Sequence, residues 1–344
     1  MTLRRGRLRY LGVLGPAALA AAVGLAGCSV SSAAPSKAAA GSEHSLTLAE
    51  ARAVFSSYVA TSTAAAKQGD AAQGLAVVGD AQWAILHAQY TALATAGTQL
   101  ARYSYGTPAF YVPALAGYPL WFMVAVPVSA DTDGHLGPAV TTLMVFQRYV
   151  PSRQWTLDGS AVLDQPLPGI ALDGDGYATA FTNTEPTLLL QPDLVGATQA
   201  AVVDQGPAAP AAAVMGGGPQ TTALYAAQAA RGKSAWANGL NYQWLLEGAS
   251  FAQYELRTAD GGALVLYSMY LNTTTGHPGN IAGTPIPVPA RFTPLLAAPS
   301  QVGYHQVTAN WTDEFAAVDP PQTAHGAKVQ VIGGSGAPTF GSAR

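Results

Sequence analysis

The chain of 344 residues is 49% hydrophobic but only 10% charged, against about 25% charged residues in ordinary domains. Without residues 1–27, which contain four arginines and no acid, it has 12 basic and 19 acidic residues and a net charge of −7. This balance argues against nucleic-acid binding, which needs a basic surface, and against a polybasic attachment to anionic lipids. The single cysteine excludes an internal disulfide, so the fold must depend on one or two hydrophobic cores.

Residues 1–27 have the pattern of a secretory signal peptide. Four arginines precede an uncharged apolar stretch from Tyr10 to Gly27, and this order is typical of export signals. Glycines and a proline within the stretch favour a cleaved signal over a permanent membrane anchor. The pair Arg4-Arg5 raises twin-arginine export, but Arg7 stands where that signal usually has an apolar residue, which favours the general secretory route.

The signal peptide ends in a recognisable cleavage motif. Leu25-Ala26-Gly27-Cys28 resembles the lipobox of bacterial lipoproteins. The resemblance implies transfer of a diacylglycerol to the Cys28 thiol and cleavage before Cys28, and it allows acylation of the new amino group. Two or three acyl chains anchor a protein stably. We therefore expect membrane lipid to be a partner through Cys28, and the body to lie on the extracytoplasmic face of the cell membrane.

Residues 28–44 predict a flexible tether, because they are rich in Ser and Ala and have no apolar periodicity. A tether of this length has a reach on the order of 20–25 Å. It would hold a folded body close to the membrane but clear of the lipid headgroups.

Residues 45–165 predict a first α+β module. Thr47 and Glu50 have capping-box spacing at the start of one helix, and a second helical run covers residues 70–95. The pattern then changes to β-branched and aromatic runs interrupted by Gly, Pro and Asp, which predict strands. The strand-rich runs are TPAFYVP, LWFMVAVPV, VTTLMVFQRYV and QWTLDGSAVL. Helices followed by a meander predict a curled antiparallel sheet packed against helices.

Residues 221–334 repeat this order, with a helical run followed by strands and a hairpin signal at residues 260–262. Residues 166–220 are predicted to connect the modules, ending in the linker-like stretch GPAAPAAAVMGGGPQ. Residues 335–344 are predicted to form a C-terminal tail. The expected fold class is therefore α+β, with two modules that a diverged duplication would explain.

The C-terminal stretch WTDEFAAVDPPQTAHGAKVQVIGG is similar to the C-termini of a family of uncharacterised secreted lipoproteins from high-GC Gram-positive bacteria. The lipobox and the long N-terminal helix fit the same family. The resemblance implies no known activity and no catalytic residue. The order of helices and curled sheet is also similar to NTF2-like domains, whose concave sheet often holds a pocket; this likeness concerns the fold alone.

Motifs for catalysis, cofactors or metals do not emerge from the sequence. The stretch AQAARGKS lacks the first glycine of a phosphate loop and no strand precedes it. The six histidines form no ligand pair of the H-x-x-x-H kind. G-x-S-x-G and S-x-x-K motifs are absent, and lipidation would occupy the sole cysteine. We therefore expect no cofactor, no metal and no catalytic residue.

Aromatic residues are the remaining candidates for ligand contact. Trp236, Trp244 and Tyr254 belong to a cluster within 19 positions and could stack on a sugar or grip an apolar ligand. A second group lies between residues 103 and 121. The alternative is that both groups simply fill cores.

The combined pattern favours a non-catalytic lipoprotein that binds an unidentified envelope ligand or protein partner. One alternative is a hydrolase or transferase acting on envelope glycans or lipids, with Glu247 and Glu255 as carboxylates near the aromatic cluster. Another is a structural spacer whose pocket is filled by side chains.

Overall fold

The computed structural model describes residues 45–132, 134–181, 185–280, 285–296 and 305–343. The predicted signal peptide, the lipobox residues Leu25, Ala26, Gly27 and Cys28, and the tether lie outside the described residues. All the described helices and strands belong to one compact unit.

The described residues contain five α-helices: α1 (Leu48–Gln68), α2 (Ala71–Ala76), α3 (Asp80–Ala96), α4 (Val195–Gln205) and α5 (Thr222–Ala237). The N-cap predicted for α1 is confirmed, because the Thr47 hydroxyl accepts a hydrogen bond from the Glu50 amide at 3.1 Å. Helix α1 ends at Gly69, whose φ of 67° lies in the left-handed region that favours glycine. Within this part of the chain, none of the helices combines the length and hydrophobicity needed to cross a bilayer.

The run predicted as one helix over residues 70–95 forms two helices, α2 and α3. Between them the backbone joins the first sheet, where the Gly79 amide donates to the Leu157 carbonyl at 2.9 Å and the Leu157 amide donates to the Val77 carbonyl at 3.0 Å. A Cβ on Gly79 would lie 2.4 Å from Oδ1 of Asp158. Glycine is therefore needed here for a close approach to the sheet rather than for helix termination alone.

The first sheet is antiparallel, with β1, β3, β5 and β6 side by side in that order and with β2 and β4 paired to β3. Its strands are β1 (Arg102–Tyr105), β2 (Ala109–Tyr111), β3 (Leu120–Thr132), β4 (His135–Leu136), β5 (Val140–Arg148) and β6 (Thr156–Val162). The strands predicted in this region are confirmed. In β6, Val145 pairs with Gly159 while Phe146 pairs with Leu157, so Asp158 is the extra residue of a β-bulge.

The second sheet is also antiparallel, in the order β11–β10–β9–β7, with β8 paired to β9. Its strands are β7 (Asn241–Gly248), β8 (Tyr254–Arg257), β9 (Ala263–Gly276), β10 (Gln306–Asp319) and β11 (Gln330–Ala343). The predicted hairpin is confirmed between β8 and β9, where Gly261 has a φ of 89°. Residues 335–343, predicted as a tail, instead continue β11, because the long strand β10 offers a backbone ladder even to these small residues.

The α+β fold class is confirmed, and the elements form four layers: helices α1–α3, the first sheet, the second sheet, and helices α4 and α5. Side chains alternate between two cores along each strand. On β3, Phe122 faces the core shared with α1, and Met123 faces the second sheet. On β9, Leu266 faces the first sheet, whereas Tyr267 faces the core shared with α4. The central strands β3 and β9 are thus covered on both faces, whereas most residues of the edge strand β7 are exposed.

The segment predicted to connect the modules packs onto the second sheet. Met215, within the stretch predicted as a linker, is buried and forms a parallel bridge with Val329. Ala180 forms an antiparallel bridge with Leu256. One sheet lies in each half of the chain, and the boundaries of the two modules stay a prediction.

Candidate functional site

A cavity of about 510 Å³ lies between helices α1–α3 and the first sheet, and we call it the helix–sheet cavity. This volume falls in the range of small-molecule sites, about 300–1,000 Å³. Its apolar walls include Val78, Ile85, Leu86, Val128, Met144 and Leu157. Its polar lining includes Tyr58, Ser62, Gln82, Tyr105 and Ser160. Arg102 is the one charged side chain among the described lining residues. The cavity therefore suits a mainly apolar molecule with a small polar part.

Two tyrosines supply hydrogen-bonding groups on one wall. Tyr58 lies on α1 one turn before Ser62, and its side chain hydrogen-bonds that of Tyr105 on β1. Burial raises the pKa of Tyr105 to about 12 and also raises the pKa of Tyr58 well above its ordinary value. Phe55 packs edge-on against Tyr105, with ring centroids 5.9 Å apart. Both phenols are therefore neutral at physiological pH and can hydrogen-bond without introducing a charge.

A buried carboxyl group stands behind another part of the cavity wall. Glu314 on β10 is fully buried and accepts hydrogen bonds from the Ser160 amide at 3.1 Å and from Nε2 of Gln82. Ser335 Oγ donates to the Ser160 carbonyl at 2.6 Å. These bonds satisfy backbone groups of β6, the edge strand of the first sheet. Gln82, Ser160 and Ser335 line the cavity, so the second sheet contributes to this wall through them.

Asp158, the bulge residue of β6, is a second buried acid in this region. It is 2% exposed, and Thr156 Oγ1 donates to its Oδ1 at 2.5 Å. Burial raises the pKa of Asp158 to about 7 and that of Glu314 to about 8. Neighbouring negative charges add to this effect. The charge of Asp80 raises the pKa of Asp158, and the charge of Asp158 raises the pKa of Glu314. Both carboxyl groups behind the cavity therefore favour the protonated form more than exposed acids do.

The three aromatic residues proposed for ligand stacking lie in different surroundings. Trp236 is 72% exposed in the last turn of α5. Trp244 is partly buried against the core of the second sheet, where its Nε1 donates to the Val203 carbonyl at 3.2 Å. Tyr254 is buried between the sheets, and its hydroxyl donates to Oε1 of Gln147 at 3.1 Å. Ligand contact by these residues stays a prediction.

The two carboxylates considered for hydrolysis point to opposite faces of the second sheet. Glu255 pairs with Val265 and Glu247 pairs with Tyr270, and directly opposed residues share a face. Positions 265 and 270 are an odd number apart on β9 and therefore face opposite ways. Glu255 is buried, and burial raises its pKa to about 7. This separation does not support a mechanism in which the pair acts together.

Sequence reasoning missed most residues of the helix–sheet cavity and the acids behind it. A signal did exist for the acids, because Asp158 and Glu314 interrupt the apolar strands TLDGSAV and NWTDEFAAV. Charged residues inside such strands are rarely buried without a partner. Across the described ranges, no group of three or more His, Cys, Asp or Glu side chains is placed to hold a metal ion.

Comparisons with known proteins identify the family. The family model described as "Domain of unknown function (DUF8094)" matches residues 42–340. The chain is 29% identical over 162 residues to an uncharacterised lipoprotein of Streptomyces avermitilis, an alignment that covers 46% of this chain and 44% of that protein. It is 31% identical over 179 residues to an uncharacterised lipoprotein of Streptomyces coelicolor, covering 48% of this chain and 46% of that protein.

These alignments span just under half the length of each relative. No solved structure matches the chain. The resemblance to uncharacterised lipoproteins is confirmed by both relatives. Because the family model covers most of its length, the chain belongs to the family described as "Domain of unknown function (DUF8094)".

Proposed function

We propose that this protein is a lipid-anchored, extracytoplasmic binding protein, without catalytic activity, that holds a mainly apolar small molecule in the helix–sheet cavity. The observation that carries the proposal is the cavity itself, at about 510 Å³ and with a surface that is more apolar than polar, to which Leu, Ile, Val and Met side chains contribute. A void of this size lined by packed apolar groups forfeits dispersion contacts, and a ligand that fills it restores them.

The polar lining indicates which part of a ligand would be specific. Tyr58 and Tyr105 offer neutral hydroxyls, and Gln82 and Ser160 lie on another stretch of the wall. A hydroxyl, ester or amide on an acyl or isoprenoid chain would find partners here. The ligand class that fits is therefore a lipid-like molecule with one small polar group.

Anchoring is supported by the motif Leu25-Ala26-Gly27-Cys28 and by the names of the two relatives. Replacing Cys28 with Ser should abolish metabolic labelling with a radioactive or alkyne-tagged fatty acid. The chain should then be released into the medium or accumulate as an unprocessed precursor. Acyl labelling that persists in the Cys28→Ser chain would contradict lipidation at this residue.

The binding proposal is tested by mass spectrometry of residues 45–344 purified from the native host without detergent. Gently prepared and denatured samples are compared. We expect a stoichiometric apolar compound that is bound in the first sample and released in the second. Protein that carries no such compound, and that takes up none from a total lipid extract of the host, would favour the structural spacer instead.

A further inference from the structure

A second, smaller cavity lies next to the helix–sheet cavity. It has a volume of about 300 Å³ and is enclosed by α5, the second sheet and the 3₁₀ helix Ala290–Leu295. Ser335 and Gly336 of β11 line both this cavity and the helix–sheet cavity. We call the second one the arginine cavity, because Arg231 and Arg291 line it.

Neither arginine forms an ion pair with an acid among the described residues. Arg231 Nη1 donates to Oε1 of Gln228 at 3.1 Å, and the Arg291 guanidinium lies 5.2 Å from the ring centre of Trp311. Both positive charges act on Tyr242, where they oppose the rise in the pKa of its hydroxyl that burial causes. Both guanidinium groups therefore line one cavity, in a chain whose acids outnumber its bases.

The position of Arg231 is fixed by buried neighbours. Gln228 is 1% exposed, and its Oε1 also accepts a hydrogen bond from the Tyr242 hydroxyl at 2.6 Å. This contact holds the amide oxygen in place, so that it orients the guanidinium of Arg231 at the edge of the cavity. A guanidinium held in this way loses less entropy when it binds an anion.

The one acid that lines the arginine cavity does not neutralise these charges. Asp313 lies beside Gly336, where a Cβ would clash with its carboxyl oxygen at 1.8 Å. Burial alone raises the pKa of Asp313 to about 7, and neither guanidinium offsets that rise. The arginine cavity thus holds two cations and one partly buried acid that forms no ion pair with either of them among the described residues.

The remaining wall is partly apolar and partly polar. Trp311 packs edge-on against Phe292, with ring centroids 4.6 Å apart, and Leu224, Leu271 and Phe315 also line the cavity, whereas Gln220 and Ser335 add polar groups. An indole beside the Arg291 guanidinium, in a cavity that Arg231 also lines, suits a ligand with a planar or apolar body and an anionic end.

We propose that the arginine cavity binds a small organic anion, a carboxylate or a phosphate monoester, whose anionic group contacts Arg231 and Arg291 and whose body packs against Trp311. This site adjoins the helix–sheet cavity at Ser335 and Gly336 and would give the protein a second ligand of a different chemical class. Carboxylate and phosphate share the bidentate geometry that arginine recognises.

The test uses the full chain in phosphatidylcholine nanodiscs and isothermal titration calorimetry with three probes: benzoate, phenyl phosphate and phenol. We expect at least one of the two anions to bind. We also expect that phenol, which lacks the anionic group, does not displace it. The anion that binds more tightly shows whether the natural ligand carries a carboxylate or a phosphate monoester. Arg231→Gln and Arg291→Gln should each raise Kd at least about tenfold, since a hydrogen-bonded charge pair is lost.

Three control variants separate this site from folding and from the other cavity. Arg153→Gln, in the exposed loop between β5 and β6, should leave Kd unchanged, and Arg231→Lys should bind more tightly than Arg231→Gln because it keeps the charge. Ala66→Trp, which fills the helix–sheet cavity, should leave anion binding intact. Equal Kd values in the wild type and both Gln variants, with unchanged melting temperatures, would overturn the proposal, as would no binding of either anion at millimolar concentration.

Discussion

Glu314 occupies surroundings that are unusual for an acidic side chain. It is fully buried at the junction of the two sheets and α3, and its hydrogen bonds come from Gln82 and from the Ser160 amide. Burial raises its pKa to about 8, and it raises the pKa of Asp158, Glu255 and Asp319 to about 7. Each folded-state value lies above that of the unfolded chain, so the folded protein retains protons that the unfolded chain has released.

The stability of the folded body should therefore fall as pH rises. The contribution of these groups is fully present below about pH 4, where both states are protonated, and is lost as pH rises through 7–8. We expect the free energy of unfolding of residues 45–344, measured by urea denaturation, to be higher at pH 5 than at pH 8.5. Glu314→Gln should reduce this difference by an amount on the order of a few kcal/mol.

The exposed Asp175 provides the matched control, because Asp175→Asn should leave the pH dependence as it is in the wild type. A free energy of unfolding that increases between pH 5 and 8.5 would contradict the assignment of these acids. A Glu314→Gln variant whose free energy of unfolding falls with pH as steeply as that of the wild type would contradict it as well.

At the level of elements, the junction between α2 and α3 depends on one glycine. Gly79 brings the chain against β6, and a methyl group there would lie 2.4 Å from Asp158. Gly79→Ala should lower the free energy of unfolding by about 1–3 kcal/mol, as overpacking does elsewhere. Gly117→Ala, at a position with no atom within 4 Å of the added Cβ, should change it far less. Chemical denaturation of both variants measures the effect; equal stabilities would show that the junction relaxes freely.

The elements that sequence analysis predicted correctly are those with local causes. The N-cap of α1 needs only Thr47 and Glu50, and the β8–β9 hairpin needs only the Asp260-Gly261-Gly262 turn. The division of the second helical run could not be predicted, because it depends on hydrogen bonds to Leu157, about eighty positions away. The strand at residues 335–343 was missed for a similar reason: its pairing partner, not its own side chains, makes it a strand.

At the level of the whole molecule, the face-to-face packing of the two sheets joins the halves of the chain. Met123 and Leu143 from the first sheet pack in one core with Leu264, Leu266 and other residues of the second. The sequence did hold a sign of this arrangement, since residues 120–126 of β3 are seven successive apolar residues, all buried in the structure, where a sheet with one exposed face would alternate. The same core explains why neither predicted module is expected to be stable alone.

We therefore expect residues 45–344 to unfold in one cooperative transition, seen alike by circular dichroism and by tryptophan fluorescence. A fragment of residues 221–343 should remain unfolded or aggregate, because the apolar face of its sheet at Leu264, Leu266 and Ala316 would be exposed. Two separated transitions, or a fragment with a native-like melting curve, would show instead that the modules are independent.

The cavity residues illustrate the limit of prediction for the site. Tyr105 belongs to an aromatic group visible in the sequence, but Tyr58, Gln82 and Ser160 carry no pattern that marks them. They come together because α1, α3 and β6 pack around one space. No spacing rule connects residues on three elements this far apart in the chain, so the cavity follows from the tertiary structure alone.

The central claim, that the helix–sheet cavity holds an apolar ligand, is tested most directly by the binding of a fluorescent fatty acid to residues 45–344. Ala66 lines the cavity and Ala60 is exposed on the same helix, outside its lining. If the claim holds, the wild type binds the probe, Ala66→Trp weakens binding at least about tenfold by filling the space, and Ala60→Trp binds as the wild type does. A correctly folded Ala66→Trp variant that binds the probe as tightly as the wild type would contradict it.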